Sequence, residues 1–301
     1  MFIVNNKKIF IGISAVLVLI SLVLLFTVGL RESIDFKGGA LTEISYPSGR
    51  PVVEDLQKQI DTLALGTVLL QPTGDNGYLV KTMDLTETNR QALFNSFSID
   101  GKYIAEQKSF TSIGPSVGSE MRKKALLSIV LVILAIMFFV AYAFRKVAKP
   151  ISSWTYGLVT IITLVHDVII PTGIYVLLGK YAGAEADMLF VVALLTILGL
   201  SVSDTIVVFD RIRENLKIQI APTFKEIVGR SIMQTFARSI NTSLTVIFAL
   251  LALFFFGPSA TKYFALTLAA GMFFGAYSSI FLASPLLVMI EERKKNKTSK
   301  K

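Results

Sequence analysis

Four ionisable side chains stand inside stretches of this sequence that are otherwise almost wholly apolar: His166, Asp167, Asp204 and Arg238. A charged group at hydrocarbon depth costs about 3 kcal/mol on insertion scales unless it is paired or faces water, so such residues point to proton relays, ion paths or bonds between helices. His166 is the single histidine of the chain, and Asp167 follows it directly. Around Asp204 lie Gly199, Ser201, Ser203 and Thr205; beyond Arg238 come Ser239, Asn241, Thr242, Ser243 and Thr245. Small and hydroxylic residues let helices approach and bond across their interface, and for the serines and threonines this is the alternative to a proton path. Arg238 has an alternative of its own, because a long cationic side chain near a membrane boundary can snorkel to the headgroups. Protonation of a carboxylate needs no cofactor, and the composition offers none a home. With no cysteine and one histidine, thiolate and histidine-cluster metal sites and a cysteine nucleophile are excluded. Neither a nucleotide-binding loop nor a nucleophile with its base is present, so an enzyme is not expected.

The elements that must position these residues follow from composition. Of 301 residues 53% are hydrophobic and 17% charged, against about 25% charged in soluble domains. The apolar residues gather in blocks of about 20, the length of helix that crosses roughly 30 Å of hydrocarbon. Six spans are predicted: Ile9 to Leu30, Ala125 to Phe144, Ser153 to Leu178, Met188 to Phe209, Ile240 to Gly257, and Tyr263 to Ile290 with an interruption at Pro285. The first is read as an uncleaved anchor, since it is too long for a signal-peptide core. Lys and Arg number seventeen in the segments on the side of the termini and two, Lys180 and Lys262, in the short loops opposite. The net charge of +9 is therefore read as topology rather than as a nucleic-acid surface, with both termini cytoplasmic. At about 1.5 Å per residue, His166 falls near the midplane and Asp204 roughly 9 Å inside the cytoplasmic boundary, so an Asp204–Arg238 pair is geometrically allowed. Asp210, Arg211, Arg213 and Glu214 open a cytoplasmic segment near residues 211–237, whose Phe224, Ile227, Val228, Ile232 and Phe236 share one helix face; it should lie on the membrane surface or against a neighbour. Gly271 and Gly275 form a small-xxx-small seam in the sixth span.

Residues 31–120 read as a small α+β domain on the outer face. A strand at Ala40–Tyr46 precedes a helix opened by Pro51 that carries Val53, Leu56, Ile60 and Leu63; strands follow at Thr67–Gln71 and Tyr78–Met83, joined by a turn at Pro72–Gly77. A helix at Glu87–Phe97 and a strand at Tyr103–Phe110 complete the order β-α-β-β-α-β, which is ferredoxin-like. No catalytic constellation is visible in it. Asp35, Gly38 and Gly39 at its entrance read on composition as a tight turn, and Gly114–Gly118 at its exit as a hinge. The predicted architecture is thus six transmembrane helices with this domain between the first two. Residues 1–30 hold the N-terminus and first helix, 121–290 the other five, and 291–301 a basic cytoplasmic tail.

Four stretches resemble the SecF family of the bacterial SecD–SecF protein-export factor, related to the resistance-nodulation-division superfamily: Ile34–Gly39, His166–Val168, Gly199–Glu214 and Arg238–Ser243. One departure is Leu200-Ser201-Val202-Ser203, where the family usually has Tyr-Ser-Ile-Asn; Ser203 keeps a hydroxyl but not an amide. The resemblance implies a multi-pass subunit of the bacterial cytoplasmic membrane that, with SecD, uses the proton motive force to help draw secreted polypeptides across. It implies Asp204 as the proton-responsive carboxylate, Arg238 as its charge partner, and His166 with Asp167 in helix packing or a wet path, supported by Ser201, Ser203, Thr205, Asn241 and Thr242. Expected partners are SecD, the SecY–SecE–SecG channel, YajC, the translocating polypeptide, membrane lipids and protons, with no nucleic acid. Two rivals stay open: a self-sufficient proton-coupled exporter of small molecules, and a passive scaffold for the translocon.

Overall fold

A computed structural model describes residues 1–66, 68–99, 101–145 and 150–298. Thr67, Lys146, Lys149 and the tail lysines 300 and 301 lie outside them. The chain divides into two units, Met1–Arg31 with Leu127–Lys301, and Glu32–Leu126; each is taken by itself.

In the smaller unit Ser33 caps a one-turn helix, its side chain accepting from the Asp35 N–H at 3.1 Å. Labelling in chain order, α1 is Phe2–Asn5, α2 Lys7–Thr27, α3 this turn (Ile34–Lys37), β1 Gly39–Ser45, α4 Val53–Asp61, β2 Leu69–Thr73, β3 Gly77–Thr82, α5 Glu87–Ser96 and β4 Glu106–Ile113. The strands form one antiparallel sheet in the order β2-β3-β1-β4. Ile44, Tyr46 and Val80 of the sheet pack against Leu56, Ile60, Leu93 and Phe97 of the helices, all fully or almost fully buried. Tyr46 donates from its hydroxyl to the Phe97 carbonyl at 3.0 Å, and burial pushes that phenol above its ordinary range. Pro72 is tolerated because β2 is an edge strand, where a missing N–H need not break a ladder. The last strand starts three residues later than predicted. The N–H of Tyr103 is taken by the Ser98 carbonyl in a turn, so the ladder opens only at Glu106.

The entrance and exit segments meet. Gly38 has φ +80°, and a Cβ on it would stand 2.7 Å from Pro115 Cα. A Cβ on Gly118 would stand 2.8 Å from the Gly38 nitrogen, and one on Gly39 2.6 Å from the Thr82 carbonyl. The predicted hinge at Gly114–Gly118 is therefore corrected: Pro115 opens α6 (Pro115–Ala143), where its missing N–H costs nothing, and Gly118 is a packing contact.

The larger unit continues with α7 (Ser153–Ala182), α8 (Met188–Lys217), α9 (Phe224–Phe256), a 3-10 turn at Ser259–Thr261, α10 (Lys262–Ser278), a π-helical segment at Ser279–Ala283 and α11 (Ser284–Thr298). Six helices are long and apolar enough to cross a membrane, the sixth running from Ser259 to Asn296 through the π segment; the protein is a multi-pass membrane protein. Its break falls just ahead of Pro285, which has no N–H for the Phe281 carbonyl and whose ring would clash there in a regular helix. The expected separate cytoplasmic helix is not separate. Residues 224–236 are the first turns of α9, and Phe224, Val228 and Ile232 pack in the core with Phe209 and Ile212 of α8, so the neighbour and not the membrane surface takes that face. Asp187 and Thr223 cap α8 and α9, accepting from the N–H groups of Phe190 and Glu226. Close approaches need small residues: a Cβ on Gly173 would strike Ser21, one on Gly271 would strike Ile197, and one on Gly275 would lie 3.1 Å from Ser201 Cβ. The Gly271–Gly275 seam thus packs the sixth span on α8.

Candidate functional site

Asp167 has no solvent exposure, and its carboxylate is surrounded by donors from three helices. His166 on the same helix presents Nδ1 to Oδ1 at 2.7 Å. Oδ2 receives the hydroxyls of Ser201 from α8 and of Ser278, at 2.8 Å, from α10. Pro171 stands four residues beyond Asp167 and cannot donate to its backbone carbonyl, although α7 runs through it unbroken. His166, itself 2% exposed, stacks on Tyr277 with centroids 6.2 Å apart and planes 18° apart. Tyr277 in turn donates to the Phe10 carbonyl of α2 at 3.3 Å. The outer nitrogen of His166, Nε2, is buried and has no hydrogen-bond partner among the described residues. One turn further along α8, Thr205 Oγ1 and Ser279 Oγ are 2.8 Å apart, both groups buried.

Asp204 sits differently. It is half-buried and accepts one bond, from Ser243 Oγ of α9 at 3.2 Å. Arg238 is exposed and forms no ion pair with Asp204, although its charge acts on that carboxylate through space. Ser203, Asn241 and Thr242 are exposed too, so α8 and α9 turn a polar strip outward at membrane depth. Of the residues singled out from the sequence, Asp167, His166, Ser201 and Thr205 are gathered inside the unit. Asp204 lies between the two environments.

At the far end of α8, Asp210 pairs with Arg213 at 2.5 Å and Arg211 with Glu214 at 2.8 Å. Arg211 Nε also donates to Gln234 of α9 at 2.6 Å, and buried Asn215 donates to Ser231 and Gln234, both at 2.8 Å. Within the signature the two ion pairs stay on α8, and Arg211, with the following Asn215, fastens α8 to α9. Gly38 and Gly39 belong to the smaller unit's close backbone contact described above, and Asp35 to the one-turn helix before it that Ser33 caps.

Sequence reasoning missed Ser278, Ser279, Tyr277, Asn215 and Gln234. Two adjacent serines in a long apolar run carry no signal of their partners, which come from helices far away in sequence.

Comparison with known proteins is consistent along the chain. The sequence model of the family described as "Protein export membrane protein SecD/SecF, C-terminal" matches residues 96–293. Protein translocase subunit SecF of Thermobaculum terrenum is 40% identical, the match covering 97% of this chain and 94% of that one. Protein translocase subunit SecDF of Thermus thermophilus is 36% identical, with 92% of this chain covering 36% of it. The crystal structure of SecDF from that organism, described as a translocon-associated membrane protein, superposes with a TM-score of 0.81 at 32% identity, covering 96% of this chain and 38% of the solved one.

Proposed function

The chain belongs to the SecD/SecF family of protein-export membrane proteins, and on that premise we propose that it is the SecF-type subunit of a Sec translocase. With SecD it uses the proton motive force to drive late translocation of secreted polypeptides across the bacterial cytoplasmic membrane. Both termini face the cytoplasm, and the smaller unit is a ferredoxin-like module on the outer face. Its partners are SecD, the SecY–SecE–SecG channel, YajC and the moving polypeptide.

The observation that carries proton coupling is how the carboxylates within the spans are held. Asp167 is held by the His166 imidazole and the hydroxyls of Ser201 and Ser278, and Asp204 by the hydroxyl of Ser243; among the described residues neither has a Lys or Arg at ion-pair distance. A hydroxyl donates to a carboxylate and accepts from a carboxylic acid, so both protonation states find a partner. A lysine or arginine in the same place would serve only the ionised form. Arg238, close enough to act on Asp204 yet unpaired, is the charge that a change at Asp204 would release or attract. The exposed strip of Ser203, Arg238, Asn241 and Thr242 supports a partner half, because lipid tails satisfy no polar group. The Thermus thermophilus chain that matches is SecDF, of which this chain spans only 36%, and SecD is the partner so indicated.

The energy is adequate. A charge crossing 100 mV yields about 2.3 kcal/mol and a pH unit adds about 1.4 kcal/mol, against about 5.5 kcal/mol to throw a two-state element from 1:99 to 99:1. One proton biases such a switch, and more than one completes it.

The test is translocation of a secretory protein into vesicles carrying SecD with this chain or its Asp204→Asn variant, with and without a proton motive force, complex assembly being checked in parallel. The expected result is loss of the stimulation with assembly intact. Unchanged stimulation would overturn the reading, leave the chain a scaffold and move the proton site to SecD.

A further inference from the structure

Spans three, four and six meet at a row of hydroxyls whose hydrogens have two places to go. Ser278 Oγ lies 2.8 Å from Asp167 Oδ2 and 3.1 Å from the Gly275 carbonyl. Ser279 Oγ lies 2.8 Å from Thr205 Oγ1 and 3.0 Å from that same carbonyl. Each hydroxyl has one hydrogen and donates to one acceptor at a time. The Gly275 carbonyl has two lone pairs and already takes the Ser279 N–H, so it has room for only one of the two hydroxyls. The two choices are therefore tied. When Ser278 donates to an ionised Asp167, Ser279 holds the Gly275 carbonyl and receives the hydrogen of Thr205. Oδ2 faces both Ser201 Oγ and Ser278 Oγ; when Asp167 carries a proton there and offers it to Ser278, Ser278 turns to Gly275, and Ser279, displaced, donates to Thr205. No proton leaves the row and no heavy atom must move. Thr205 directly follows Asp204 on α8.

Two adjacent residues of one helix thus serve two different neighbours, Ser278 reaching α7 and Ser279 reaching α8. The π segment begins at Ser279, and Ser284 Oγ donates to the Ser279 carbonyl at 3.3 Å across it. Segments of this kind are rare and often sit at functional positions. The titratable groups around the row are His166 on α7, Tyr277 on α10 and Asp204 on α8. Among the described residues the ion-pair partner of Asp167 is His166, itself titratable, and no Lys or Arg stands there.

We propose that Ser278 and Ser279 are positioning residues that pass the protonation state of Asp167 on α7 to Thr205 on α8. This rests on the reading of the chain as a proton-coupled translocase subunit.

The experiment uses vesicles carrying the complex with SecD and measures stimulation by the proton motive force as a function of pH. Variants are Ser278→Ala, Ser278→Thr, Ser279→Ala and Asp167→Asn, each purified with SecD to verify assembly. Ser278→Ala is expected to lose about tenfold in stimulation, the factor that a lost bond to a charged group corresponds to, and to displace the pH midpoint. Ser278→Thr, which keeps the hydroxyl, should retain both. Ser279→Ala should also displace the midpoint although it does not touch Asp167, and it serves alone if Ser278→Ala does not assemble. Alanine variants with unchanged stimulation and midpoint, or a threonine variant as defective as the alanine, would overturn the relay. Asp167→Asn separates the two levels. If it loses stimulation while the serine variants do not, only the relay fails; if it too is unaffected, proton handling at Asp167 fails with it.

Discussion

Asp167 and Asp204 are the same side chain on adjacent spans, and the chain treats them in opposite ways. Asp167 is enclosed by groups of this chain, an imidazole and two hydroxyls, and has no solvent exposure. Asp204 has one hydroxyl and no ion pair among the described residues, and its neighbours Ser203, Arg238, Asn241 and Thr242 face outward. A polar group in lipid must be satisfied by protein, so the first site is complete in one chain and the second is written for two. The contrast locates the proposed coupling. A self-contained site can hold a proton without a partner, whereas a half-open site can tell the partner that the proton has arrived.

The sharpest way to break the contrast is to delete each carboxylate in the chain without SecD. Asp167→Ala leaves two hydroxyls and an imidazole facing a buried void and is expected to destabilise the larger unit by about 3 kcal/mol or more, the scale of breaking a buried polar pair. Asp204→Ala removes one interhelical bond and is expected to cost about 0.6 kcal/mol, the average for such bonds in a membrane. Denaturation of detergent-solubilised protein measures both, and equal costs would dissolve the distinction.

A smaller effect is expected at the open site once SecD is present. Replacing Asn241 and Thr242 by Leu leaves the isolated chain untouched, because neither side chain is buried in it. With SecD it should weaken association by about 1 kcal/mol, in the range of membrane hydrogen bonds. Titration of labelled SecD into the purified variant reads this directly. Stronger association would assign the strip to lipid headgroups or water instead.

The contrast also explains what was legible in the sequence. Spans were visible because hydrocarbon imposes length and composition on each helix separately, and Asp204 with Arg238 stood out because charges in such runs are rare. Which carboxylate is enclosed was not visible. The enclosure of Asp167 depends on Ser201 and Ser278, residues 34 and 111 positions away, and on a π segment that no periodicity announces. In the smaller unit the alternation of Gly39–Ser45 and Gly77–Thr82 marked the strands. The start of β4 was missed because the Tyr103 N–H is spent in a turn. The run from Phe224 to Phe236 had most of the right face but was assigned to no particular neighbour; its partners Phe209 and Ile212 lie at and just past the end of the apolar block on α8.

The smallest expected effect supplies a reference for both membrane carboxylates, namely an acid held by a cation in water. Glu87 at the start of α5 accepts from Arg90 at 2.5 and 2.8 Å and from Gln91 at 3.0 Å. These bonds, led by that of Arg90, lower its pKa to about 2. A carboxylate depressed in the folded state adds stability that is fully present above its unfolded value, near 4.5, and is lost as pH falls toward the folded value near 2. The window is therefore acidic and one-sided: amide exchange across residues 87–96 should be flat from pH 7 to 5, after correction for intrinsic rates, and should rise below about pH 4. Glu87→Gln should exchange at neutral pH as the parent does in acid, the difference being small because the pair is exposed and screened. Protection unchanged in acid would mean that the helix start is held by its Thr86 cap alone. A group held this way keeps its charge across the whole physiological range. The carboxylates of the spans have no Lys or Arg as such an anchor among the described residues, and this is the physical ground for assigning proton response to them and not to the smaller unit.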